Sequence, residues 1–156
     1  ARDLGGAPLE EVVAEITAVA EACLGAACRL RGLGEGFAVI GLGKLGGAEL
    51  NYASDVDVLF VHAGGGSGRQ EAVEREAARL IRLLSEPTHE GVALRVDPTL
   101  RPGGRRGALS RSLDATLAYY AREAATWERQ ALIKARPVAG DAALGRELVA
   151  RLADVV

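Results

Sequence analysis

The run Asp55-Val56-Asp57-Val58-Leu59-Phe60-Val61-His62 constrains the fold more than any other stretch. It is β-branched and aromatic from Val56 onward and has no helical period, so it is a strand set in an apolar interior. Side chains two apart in a strand point to one face, about 6.5–7 Å apart along the chain. Asp55 and Asp57 therefore share a face, and Val56, Val58 and Phe60 share the other. Two ionised carboxylates projecting together repel, and partial burial worsens this unless a cation lies between them. A D-x-D pair is by itself a common pattern, and a solvated strand end is the plain alternative.

The remaining elements can be placed around this strand. From Pro8 to about Leu30, Leu9, Val12, Val13, Ile16, Val19, Ala20, Cys23, Leu24 and Ala27 recur at helical spacing, with Glu10 and Glu11 favouring the first turn. Phe37 to Gly41 is a short apolar strand, and Gly43 to Tyr52 is a glycine-rich turn with a short helical piece. Gly64-Gly65-Gly66-Ser67-Gly68 is a flexible loop. Val73, Ala77, Leu80, Ile81 and Leu84 mark a second amphipathic helix that ends near Pro87. Val92 to Asp97 is expected as a third strand, and Arg101-Pro102-Gly103-Gly104 as a turn. Ser110 to about Arg136 is expected to be helical with one break, and Asp141 to cap a last helix. The fold class is therefore α+β, a small mixed sheet packed with helices and carrying a C-terminal helical extension. The division expected is a core over 1–110 and the helical extension over 111–156.

Composition narrows the function classes. The 156 residues carry a net charge of −2, so nothing in the bulk charge points to nucleic acid. No apolar run approaches a membrane span, no signal peptide opens the chain, and the expected compartment is the cytoplasm. Cys23 and Cys28 have no second ligand pair for zinc and read as small buried thiols. The chain contains no methionine, which points to a piece excised from something longer.

Two further features sit around the paired acids. Gly46-Gly47 opens a tight turn and short helix, where free N–H groups can receive a phosphate. Leu94-Arg95-Val96-Asp97 ends the expected third strand in another acid. A neighbouring strand can bring Asp97 beside Asp55 and Asp57, making a three-carboxylate site for two Mg2+ ions. Such ions suit an in-line phosphoryl displacement, holding the attacking and leaving oxygens. Glycine turn, D-x-D strand and a third acid on a later strand form a nucleotidyl-transfer layout.

Gly43-Lys44-Leu45-Gly46-Gly47, Glu49-Leu50-Asn51-Tyr52 and Ser54-Asp55-Val56-Asp57-Val58 together resemble the signature of the glutamine-synthetase adenylyltransferase family. Val96-Asp97-Pro98-Thr99-Leu100-Arg101-Pro102 is similar to its D-x-x-LRP segment. Tyr119-Tyr120 and the run Trp127 to Asp141 look like its downstream helix and turn. The resemblance covers Gly36 to Asp141. It implies a polymerase-β-like nucleotidyltransferase fold with Mg2+ at the active site, and ATP, ADP and phosphate as substrates or products. Family members carry two such domains: one transfers AMP from ATP to a tyrosine of glutamine synthetase, and the other removes it with orthophosphate, giving ADP. PII-type signal proteins and glutamine regulate the balance. Leu50-Asn51-Tyr52 and the Trp127 run look more like the removing half, the other half tending to carry Gly where Asn51 stands. Pro98-Thr99 departs from the more polar or basic residues usual after the third acid.

On this resemblance Asp55, Asp57 and Asp97 are the catalytic metal ligands, and Gly46 and Gly47 the phosphate-binding turn. Ser54 either contacts a phosphate oxygen or orients the acid pair, or else caps the start of the strand. Lys44 and Arg101 can neutralise phosphate charge; the plain alternatives are a solvated lysine and an ion pair between Arg101 and an aspartate. Trp127 lies at helical spacing with Tyr120, Ala124 and Ala131 and is expected in the core. Lys134 and Arg136 are expected to close the helix, with one of them able to reach the site. His62 and His89 are expected at the surface. Two other classes compete with this reading: another nucleotidyltransferase of the same fold, and a non-catalytic module that binds nucleotide or a partner. The neutral-to-acidic charge argues against the nucleic-acid-polymerising form of the first, and three retained acids argue against the second.

Overall fold

The structure is a computed structural model and describes residues 5–155. In chain order it contains α1 (Leu9–Leu30), β1 (Phe37–Gly41), α2 (Gly43–Gly46), β2 (Val56–His62), α3 (Ser67–Ser85), β3 (Val96–Asp97), β4 (Ser110–Ser112), α4 (Leu113–Arg122), α5 (Thr126–Gln130), β5 (Arg136–Gly140) and α6 (Ala142–Leu152). A single 3-10 turn, Gly104–Arg106, stands between β3 and β4. The architecture is α+β, a five-stranded mixed sheet with helices on both faces.

The sheet runs in the order β3-β2-β1-β5, and β4 also pairs with β2. β1 is antiparallel to β2, whereas β3 and β4 run parallel to β2. Alternation along the two central strands divides the core. Phe37, Val39, Val56, Val58 and Phe60 pack with Leu24 and Ala27 of α1 and Ala77 and Leu80 of α3. Ala38, Ile40, Leu59 and Val61 face Tyr120 of α4 and Leu144 and Leu148 of α6. Cover on both faces explains why β1 and β2 read as continuous apolar runs. Asp57 has the same parity as Leu59 and Val61 and stands where β2 begins. That places the acid at the edge of the second layer.

Four expectations about elements are corrected. The third strand shrinks from Val92–Asp97 to Val96–Asp97. Gly91, with φ of 108°, turns the chain at a Thr88–Gly91 bridge, and Leu94 then donates its N–H to the Leu84 carbonyl at the end of α3, 2.9 Å away. Its backbone is thus satisfied by the helix end instead of a ladder. The helix expected from Ser110 to Arg136 is instead β4, α4, α5 and the first residue of β5. Ser112 ends β4 and caps α4 through its hydroxyl, which accepts the Ala115 N–H at 3.2 Å. Pro137 pushes the residue before it toward extended backbone, so Arg136 begins a strand. β5 lies at the sheet edge, where a proline costs no ladder bond. Residues 111–156 are therefore not purely helical, since they supply an edge strand of the main sheet. Residues 1–4 and 156 of the two expected segments lie outside the described residues. Finally, the expected flexible glycine loop is shorter, because Ser67 and Gly68 open α3.

Three side-chain expectations are also corrected. Trp127 is 57% exposed, because the chain breaks between α4 and α5 and the helical period from Tyr120 does not carry across. His62 is buried, not at the surface, with Nδ1 2.9 Å from the Ser110 hydroxyl of β4. Burial and then Arg69 push its pKa down, which keeps the ring neutral. Lys134 and Arg136 close no helix of their own; Lys134 lies in the turn before β5 and Arg136 within it. His89 is exposed as expected, and Cys28 is a buried thiol with its pKa pushed up to about 11 by desolvation, while Cys23 is half-buried. Asp141 caps α6 as expected, accepting from Ala143 and Leu144 at 2.9 and 3.1 Å. No helix among the described residues is long and apolar enough to cross a membrane.

Candidate active site

The parallel pairing of β2 with β3 puts Asp57 and Asp97 directly opposite each other in register. Both strands begin or end at this point, so the two acids stand together at a strand end although 40 residues separate them in the chain. Burial first, then the carboxylates of Asp97 and Asp55, push the Asp57 carboxyl above the ordinary range, and Lys44 pulls it back. Asp57 thus has what the sequence led one to look for: a half-buried charge among like charges. Asp55 differs from expectation. It precedes β2 and is exposed, and its Oδ1 accepts the Arg95 Nε at 2.6 Å.

Asp97 is held by its own turn. Its Oδ1 accepts the Thr99 N–H at 2.8 Å and the Thr99 hydroxyl at 2.5 Å. Thr99, which departs from the usual residues of the segment, therefore orients the third acid. Both bonds fall on Oδ1. Among the described residues no group of three or more His, Cys, Asp and Glu side chains is arranged to hold a metal ion. The donors present are carboxylate oxygens, the chemistry that suits Mg2+, and Asp57 and Asp97 lie side by side. Asp55, the remaining acid of the expected set, is paired with Arg95.

The glycine turn is built differently from the phosphate cradle expected of Gly46 and Gly47. Gly46 donates its N–H to Leu42 at 2.9 Å and Gly47 to Gly43 at 3.0 Å, so these two donors are spent within the turn. A Cβ at Gly46 would lie 2.0 Å from the Lys134 carbonyl, so this glycine lets the turn leading into β5 pass against α2. The glycine nearest the acids is Gly43, whose φ is 49° and whose absent Cβ would stand 3.0 Å from Asp57 Oδ2. Arg136 reaches back from β5 to bond the Gly46 and Leu45 carbonyls at 3.0 and 3.1 Å, and pairs with Glu21 of α1 at 2.5 Å. It caps the end of α2, where a cation is favoured. Lys134 pairs with Glu49 at 2.6 Å on the outside of the same turn.

The other candidates divide. Lys44 is exposed, 3.4 Å from the Asn51 amide oxygen, and its field reaches Asp57. Ser54 donates its hydroxyl to the same Asn51 oxygen. Asn51 thereby gathers two of the predicted residues beside the acids. Among the described residues Arg101 forms no ion pair with an aspartate; its guanidinium donates to the Gly107, Pro98 and Arg105 carbonyls at 3.1, 2.9 and 3.0 Å. It braces the loop after β3, and the charge of Asp97 reaches it. Sequence reasoning missed Arg95, Arg105 and the orienting role of Thr99. Arg95 and Arg105 line a recess of about 320 Å3 together with Asp55 and Asp97. The only sequence signal was that Arg95 lies two residues before the third acid.

A larger groove, about 540 Å3, opens beside the acids and not over them. Ile16 and Val19 of α1 and Leu50, Tyr52 and Ser54 line it, and Arg95 is shared with the acid recess.

The family model for glutamate-ammonia ligase adenylyltransferase matches residues 1–150. The chain is similar to the bifunctional glutamine synthetase adenylyltransferase/adenylyl-removing enzyme of Streptomyces avermitilis, at 47% identity over 175 aligned positions covering 100% of this chain. The protein of the same description from Streptomyces coelicolor is 46% identical, again over 100% of this chain, and that from Nitrosococcus oceani 41% over 97%. The chain spans 17%, 17% and 18% of the length of these three relatives.

Proposed function

Because the chain belongs to the glutamate-ammonia ligase adenylyltransferase family, we propose that it is a nucleotidyltransferase unit that acts on adenylylated glutamine synthetase, removing AMP from the modified tyrosine with orthophosphate and releasing ADP. The observation that carries this reading is the register pair Asp57–Asp97 across two parallel strands, with Asp55 beside it. Like charges held together at a half-buried strand end are costly to folding and useful to a cation-dependent phosphoryl transfer. Asp57 and Asp97, with Asp55 once it leaves Arg95, would hold Mg2+, which neutralises charge on the phosphoryl oxygens when bound.

The bookkeeping of the reaction asks little of the protein as a base. A phosphate oxygen bonds to the phosphorus of the tyrosyl AMP, and the bond from that phosphorus to the tyrosyl oxygen breaks. The proton lost by the phosphate dianion equals the one the tyrosine gains. The protein's work is to position the reactants and balance charge. Lys44, held at Asn51, offers a mobile cation to a phosphate group. Thr99 fixes the Asp97 carboxylate, and Gly43, lacking a Cβ, lets the turn pass close against the Asp57 carboxylate.

Asn51 supports removal over addition. At the position where the adding half tends to carry Gly, an amide oxygen gathers Lys44 and Ser54, which a glycine could not do. The reading carries with it a PII-type signal protein acting through a longer polypeptide, and a cytoplasmic setting. The deciding experiment incubates the protein and Mg2+ with adenylylated glutamine synthetase plus phosphate, and separately with unmodified synthetase plus ATP. ADP formed in the first, and lost in Asp57→Asn, supports the reading. AMP incorporation in the second without ADP in the first reverses its direction, and full activity of Asp57→Asn removes the site assignment.

A further inference from the structure

Resting on that reading, we propose that Arg95 is the resident counter-ion of Asp55, and that a divalent cation completes its three-carboxylate site only by displacing it. Arg95 acts on the reaction through Asp55 and is thus a positioning residue. Three observations lead here. The Arg95 Nε bonds Asp55 Oδ1 at 2.6 Å, and its Nη2 donates to the Ala53 carbonyl, so one guanidinium spans the segment before β2. Ala53 holds a left-handed backbone with φ of 55°, a conformation unfavourable for a residue with a Cβ. Arg95 therefore braces a strained turn as well as a charge. Asp57 and Asp97 stand side by side across the strand pair, and the charge of Asp55 reaches Asp57, so the carboxylate that Arg95 holds belongs to the same cluster.

Charge explains why the two cations exclude each other at this place. A metal ion bonded to Asp55 lies about 2 Å from its oxygen, which would set it close to the guanidinium that the same carboxylate now binds. Both partners of the ion pair are more than half exposed, so the pair is weak and exchangeable. A strong buried pair could not serve as a placeholder. Arg95 is common to the linings of the apolar groove and the acid recess, and Arg105 shares the recess. Arrival of the metal thus frees a guanidinium at the mouth of the site. Arg95 is positioned to couple cation loading to the geometry of the 53–55 turn.

The test is binding, read without turnover. Mn2+ is added to the protein and to Arg95→Gln, Arg95→Lys and Arg105→Gln, with calorimetry or manganese resonance reporting the affinity. Removing the competitor is expected to tighten Mn2+ about two- to fivefold in Arg95→Gln, the range of an exposed ion pair, with the gain narrowing at high salt. Arg95→Lys should return toward wild type. Arg105→Gln removes the same charge from the same recess without touching Asp55 and should gain less. In the wild-type protein the Arg95 Nε–H resonance should move with added Mg2+ along the same saturation curve. Equal gains in Arg95→Gln and Arg105→Gln, weaker binding in Arg95→Gln, or a stationary Nε–H signal would each overturn the proposal. Asp57→Asn separates the two levels: if it binds Mn2+ as well as wild type, the metal reading itself fails; if it loses Mn2+ while Arg95→Gln is unchanged, only the placeholder role fails.

Discussion

Replacing Asp57 by asparagine preserves the shape of the side chain and removes a charge that burial, Asp97 and Asp55 all disfavour. The expected result separates two measurements that usually fall together. Thermal unfolding of Asp57→Asn should show a midpoint at or above wild type, while AMP release falls by a factor of at least about 100. A mutant that is both inactive and less stable would mean that Asp57 serves the fold. At this scale much of the site was legible, because a D-x-D pair in an apolar strand is conspicuous against its surroundings. The partners of the acids were not. Arg95 and Asp55 are brought together by a parallel strand pair across 40 residues, and no local pattern encodes that. Thr99 could be noticed only as an unusual residue, with its hydroxyl bond to Asp97 hidden in the turn geometry.

The short helix α2 and the cap of α6 show how elements are fastened around the acids. At Gly46 any side chain meets backbone: a Cβ would sit 2.0 Å from the Lys134 carbonyl. Gly46→Ala is therefore expected to cost roughly 3 kcal/mol in urea unfolding, because the turn leading into β5 must move. Asp141 holds two elements, accepting from Ala143 and Leu144 of α6 and, through its other oxygen, from Gly36 before β1 at 3.0 Å. These N–H groups, Gly36 foremost, hold its carboxyl below the ordinary range. An acid lowered by folding stabilises when ionised. Its contribution is complete above the ordinary carboxylate pKa and is lost as pH falls through the depressed value. Asp141→Ala should cost about 1 kcal/mol near neutrality, and the difference from wild type should shrink in acid, as paired unfolding curves at several pH values will show. Long periodic elements such as α1, α3, β1 and β2 were readable from their spacing. β3 was readable as a strand but not in its length, and β4 and β5 were missed, since such pieces owe their existence to partners elsewhere in the sheet.

On the scale of the whole molecule, the sheet is covered by two apolar layers, and the α+β class followed from the order of helices and strands. The helical appendage expected over 111–156 also carries strand, since β5 joins β1 and α6 packs behind it. Trp127, expected inside this appendage, gives a direct check. As the sole tryptophan and 57% exposed, it should emit at the long wavelength of a hydrated indole and be quenched readily by acrylamide in the folded protein. A blue-shifted, shielded emission would restore it to an interior position. The reach of Arg136 has a further consequence, one of timing. The turn over which Asp57 looks is closed by a guanidinium that enters the polypeptide 90 residues after Gly46. During vectorial synthesis the acids of β2 and β3 therefore emerge well before the residue that locks the turn between them and α1. Until translation passes β5, a nascent chain holds these carboxylates in an unfinished frame, and the turn is fastened only once Arg136 has been made.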